Sequence, residues 1–87
     1  MEIRTKFKKG QRVYHITQAY NIRTTEEYWV LEDREYFFDR CRGYKNYGWE
    51  YELKVPKYEH TIFTAFEQNC FATKEKAQKE CDRRNGK

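Results

Sequence analysis

Proline, glycine and cysteine are all scarce in this chain, and so are long apolar runs. Its 87 residues include one Pro, four Gly and three Cys, and the hydrophobic share is only 38%. No stretch is apolar for long enough to cross a bilayer, and none has the form of a signal-peptide core, so the expectation is a cytoplasmic protein without membrane contact. Cys41, Cys70 and Cys81 are odd in number and widely spaced. That pattern suits a reducing compartment better than a disulfide framework. No pair drawn from these cysteines, His15 and His60 has C-x-x-C or H-x-x-x-H spacing, so a zinc site would need four distant segments to converge. Gly10, Gly43, Gly48 and Gly86 stand alone, which leaves no phosphate-cradling loop. Neither a metal nor another cofactor is expected.

What the chain does have is charge and aromatic rings. Charged residues make up 37% of it, a share that with so little apolar surface leans toward disorder. Eight Tyr, six Phe and two Trp weigh against this, because each ring buries a large area while Tyr and Trp keep a polar edge. The expectation is one folded domain over residues 1–87 with a thin aromatic core, a β-rich body over 1–72 and a C-terminal helix over 73–85. Charge is unevenly placed. Residues 1–12 carry five basic side chains against one acidic, and residues 73–87 carry six against three. The body between them, with seven basic and ten acidic, is net negative. A dedicated nucleic-acid binder usually shows a more one-sided face.

The clearest periodicity is Tyr47-Gly48-Trp49-Glu50-Tyr51-Glu52-Leu53-Lys54-Val55, where large apolar residues alternate with small or polar ones. Period two puts Tyr47, Trp49, Tyr51, Leu53 and Val55 on one face of a strand with Glu50 and Glu52 toward water, and Pro56 ends the run. Arg12–Ile16, Glu27–Glu32, Glu35–Arg40 and His60–Phe66 read as further strands, with Asp33-Arg34 a turn, Arg42–Asn46 a connection, and Asn69–Phe71 a possible continuation of the sheet. Thr73 is placed to cap a helix over Lys74–Arg84, Asn85-Gly86 to stop it, and Glu75 and Lys79 to pair one turn apart. Ala77 and Cys81 form a narrow stripe of small residues that lets the helix approach a sheet closely. The fold class is α+β: a small, strongly bent antiparallel sheet, or an SH3-like partly open barrel, of about five strands with a C-terminal helix.

Lys6-Phe7-Lys8-Lys9-Gly10-Gln11-Arg12-Val13-Tyr14 resembles the first strand of SH3-like barrels, with Gln11 where their F-x-x-G-D-x-V-Y phrase has Asp. Cys70–Ala77 is similar to an ending of the form F-x-T-x-E-E-A that leads into a short helix. Together the two ends resemble short, mostly uncharacterised SH3-like-barrel proteins of phages and mobile elements of Gram-positive bacteria. The resemblance implies a fold and a genomic setting, in which inhibitors of host defence and small nucleic-acid binders both occur.

Two surfaces are candidates for binding. Arg40, Arg42, Tyr44, Lys45 and Tyr47 interleave cations with rings, a mixture that suits unpaired bases and phosphate, or a protein hot spot, or an ordinary loop folded back on the sheet. Glu26, Glu27, Glu32, Asp33, Glu35 and Asp39 have only Arg34 among them as counter-charge. They read either as a negative patch for a basic groove or as a solvated sheet edge. Cys41, between two arginines, is the one hint of a reactive thiol. The first expectation is a non-enzymatic module that binds a protein, such as a host nucleic-acid-handling or defence complex. The second is a small RNA- or DNA-binding protein, using the basic N-terminus, the segment 40–47 and Arg83-Arg84. The third, a Cys41-dependent enzyme, lacks a base or oxyanion site to support it.

Overall fold

A computed structural model describes residues 6–46, 48–58 and 62–86. Tyr47, His60, Thr61 and the basic Arg4 therefore lie outside the described residues.

The chain forms β1 (Arg12–Asn21), β2 (Glu26–Leu31), β3 (Tyr36–Lys45), β4 (Gly48–Lys54), a 3-10 turn at Pro56–Tyr58, β5 (Ile62–Phe66), a second 3-10 turn at Glu67–Asn69, β6 (Cys70–Phe71) and α1 (Lys74–Arg84). All the strand pairs are antiparallel, in the order β2-β1-β3-β4-β5, with β6 returning to pair with β1. Among the described residues β5 and β6 do not pair with each other, so the sheet is bent but not closed.

Two strands run longer than the sequence suggests. β1 continues past Ile16 to Asn21 and turns into β2 without Gly or Pro. Asn21 makes the turn chemically: its side-chain oxygen accepts from the backbone N–H groups of Arg23 and Thr24, and its carbonyl accepts from Thr25. β3 runs straight through the segment expected to be a connection. The register slips between Phe38 and Arg40 and again between Cys41 and Gly43, and Gly43 takes φ 132 at the second bulge. Glycine supplies that backbone conformation without strain, so what looked like a strand terminator is a bend within one.

β1 separates two apolar clusters. Val13 joins Phe7, Tyr36, Phe38, Tyr51, Leu53, Val55, Ala65 and Cys70 on the inner face. Here Tyr51 stands edge-on to both Phe7 and Phe38. Trp49 packs against this cluster, so the expected inward face of β4 is observed from Trp49 to Val55. Ile16, on the opposite face, meets Ala77 and Cys81 of α1, and all three are fully buried, flanked by Tyr14, Trp29, Leu31 and Phe71. The small-residue stripe is thus the helix's seat on β1. Thr73 caps the helix as expected, accepting from Lys76 N–H at 3.2 Å. The expected Glu75–Lys79 pair does not form; Glu80 instead binds Arg83 and Arg84 at the other end.

Candidate binding surfaces

The cationic candidates are strand residues, and their charges are largely spent within the sheet. Arg40 grips Glu52 with two hydrogen bonds, Nε to Oε2 at 2.7 Å and Nη2 to Oε1 at 3.3 Å. Arg42 Nε lies 3.4 Å from Glu52 and 3.6 Å from Glu50. Glu52, expected to face water, is buried beneath these two guanidiniums, and the bond from Arg40 holds its carboxyl below the usual range. β4 is paired on both edges by β3 and β5, and the arginine side chains of β3 cover Glu52 on its polar face while Lys54 stays exposed. Tyr44 is exposed and stands edge-on to Trp49, and Lys45 follows it in the open at the end of β3. Cys41 faces the inner cluster, away from the guanidiniums of its sequence neighbours.

The acidic stretch disperses in the same way. Asp39 sits near Lys9 and Lys54, and Glu35 near Arg12. Glu32 turns inward, where His15 Nδ1 lies 2.8 Å from Oε1 and the Tyr36 hydroxyl donates to Oε2. The His15 bond holds the Glu32 carboxyl below its ordinary value, while burial and the neighbouring carboxylate raise the Tyr36 phenol. This trio ties β1 to the residues between β2 and β3, where the partner of β1 changes from one to the other. The sequence held no local signal for it. Glu26, Glu27 and Asp33 remain exposed, with no cation within ion-pair distance among the described residues.

A different surface emerges on the β1–β2 hairpin. Tyr20, Ile22, Tyr28 and Val30 are four of the six large apolar side chains exposed among the described residues, and Ile22 at the turn is 84% exposed. Ile16, Trp29 and Leu31 point from the same hairpin toward α1, so the period-two alternation puts Tyr28 and Val30 on the face away from the helix and Tyr20 on the helix side, beyond the end of α1's seat.

The end of α1 closes on the outer side of β2. Asn85 accepts from Trp29 N–H at 2.6 Å and donates to Trp29 C=O at 2.8 Å. Beside it the Arg84 guanidinium lies 4.4 Å from the Trp29 ring centre and bonds Glu80, Asn69 and the Gln68 carbonyl. Asn85 was expected only to stop the helix; its grip on a strand far away in sequence had no sequence signal.

Among the described residues no group of His, Cys, Asp and Glu is arranged to hold a metal ion, and no helix is long and apolar enough to cross a membrane. Compared with known families, curated proteins and solved structures, the chain matches none.

Proposed function

We propose that this chain is a non-enzymatic binding module that acts through protein–protein contact, with the β1–β2 hairpin as its working surface. The observation that carries this reading is the exposure of Tyr28 and Val30 on the hairpin face away from the helix, with Ile22 exposed at the turn and Glu26 and Glu27 without an ion-pair partner among the described residues. Exposed apolar residues clustered on one element favour a macromolecular partner over simple solvation. The sheet is read more finely as an SH3-like, partly open barrel, supported by the 3-10 turn at Glu67–Asn69 that leads β6 back to β1. The narrower role, a phage or mobile-element inhibitor of a host nucleic-acid-handling or defence complex in the cytoplasm, rests on the resemblance of the two chain ends.

The nucleic-acid reading keeps Tyr44 and Lys45 but loses the free charge of Arg40 and Arg42 to Glu50 and Glu52. Capture from a lysate of the source cell, with and without nuclease treatment, separates the two. A captured protein should survive nuclease and be lost with Ile22→Glu or Val30→Glu, which alter exposed positions and leave both apolar clusters intact. Binding to a generic oligonucleotide that falls steeply with salt, or capture abolished by nuclease, would establish the nucleic-acid reading instead.

A further inference from the structure

We propose that the outer edge of β2 takes up an extended, basic peptide segment as an added strand, and that Asn85 holds the place of that strand until it arrives. This deepens the protein-binding reading of the same hairpin and rests on it.

The backbone geometry sets the site. β2 ends the strand order, so one of its edges has no neighbouring strand. Glu32 N–H donates inward to the His15 carbonyl, whereas both peptide groups of Trp29 are taken by Asn85 from outside. Peptide groups alternate along a strand, so Glu27, Trp29 and Leu31 direct theirs outward. Among the described residues only the pair on Trp29 is bonded. A primary amide that accepts from N–H and donates to C=O of one residue offers what an adjacent strand offers at that position. An incoming strand would form these bonds and add others at Glu27 and Leu31.

Shape and charge define the occupant. A groove of about 700 Å³ runs beside this edge, with Gln18, Glu26, Glu27, Trp29, Arg84 and Asn85 in its lining. Arg84 is engaged by Glu80, Asn69 and Gln68, while Glu26 and Glu27 have no cation partner among the described residues. The free charge along the edge is therefore negative. Lys or Arg at alternate positions of the added strand would meet Glu27 on one face, with apolar residues between them able to reach Tyr28 and Val30 on the other.

The experiment titrates the isotope-labelled chain with three ten-residue probes: alternating Lys-Val, alternating Glu-Val and alternating Lys-Pro. The Lys-Val peptide should shift the amide signals of Glu27, Trp29 and Leu31, and the other two should not, because Glu repels and Pro cannot complete a ladder. Asn85→Ala removes the competitor and should tighten binding roughly tenfold, the equivalent of about two modest hydrogen bonds. Glu27→Pro deletes an outward N–H that makes no bond to β1 and should abolish binding, whereas Glu27→Gln should only weaken it. This pair keeps the test valid even if Asn85→Ala unseats the helix. Strand addition is overturned if the Lys-Val peptide shifts none of these amides, if all three probes act alike, or if Glu27→Pro binds as well as Glu27→Gln. Capture of a protein partner undiminished by Glu27→Pro would also overturn it and leave the hairpin reading standing.

Discussion

Replacing Ile16 by alanine tests how the helix is held to the sheet. Ile16 is fully buried against Ala77 and Cys81. Three carbon groups are lost, at about 0.8 kcal/mol each for transfer alone. The facing residues are small and close to the helix backbone, so they can fill little of the space left behind. The cavity term is then largely retained, and the cost should fall in the upper half of the usual range, about 3–5 kcal/mol. Ile16→Val should cost about 1 kcal/mol. A chain of this size has roughly 4–13 kcal/mol of stability in total, so Ile16→Ala should lower the melting temperature by more than about 10 °C. Urea unfolding followed by helical circular dichroism and by Trp fluorescence measures the effect. Ile22→Ala, at the exposed turn, serves as the control and should stay within about 0.5 kcal/mol. A loss below about 1 kcal/mol for Ile16→Ala would refute the seating of α1 on β1.

Tyr51→Phe keeps a buried ring but removes the hydroxyl that donates to Glu67 and accepts from Lys6 N–H at 3.2 Å, so it should cost about 1–3 kcal/mol in chemical denaturation, and a neutral result would contradict the contact. Glu80 titrates at about 2 because Arg83 and Arg84 bind it, and Glu32 is lowered by His15; both contribute stability above the ordinary value of 4.5 and lose it as pH falls through their folded values. The unfolding midpoint should therefore drop on acidification from pH 5 toward 2, less steeply in Glu80→Gln, and added salt should shrink the difference because the Glu80 pairs are partly in water. Burial pushes the Cys70 thiol up to about 12 and raises Cys81, so a thiol reagent at mild pH should leave both unmodified in the folded chain and react with all three cysteines in urea. Cys41→Ser should leave partner capture unchanged; a loss without a fall in the unfolding midpoint would contradict this.

Legibility in the sequence followed the range of the interactions. The helix from Lys74 to Arg84 was readable because its capping threonine and its Asn-Gly stop lie within a few residues of its ends. The inward face of β4 was readable because alternation over a few residues carries it. The β1–β2 turn was missed because a polar Asn side chain does there what Gly or Pro usually does, and the end of β3 because Gly43 bends a strand rather than ending one. For the candidate surfaces, Arg40, Arg42 and Glu32 were correctly seen as charged, yet a one-dimensional reading could not pair them with residues on other strands.

The sequence by itself determined a β-rich body, an inward-facing aromatic strand and a capped C-terminal helix with a small-residue stripe, since each follows from backbone preferences and short-range spacing. Only the tertiary structure decided which charges are consumed and which edges stay open. Asn85 reaches Trp29 across 56 positions, and Arg40 finds Glu52 across a strand pair. Contacts of that kind depend on strand register, which is set by the packing of the whole sheet and is recorded in no single segment.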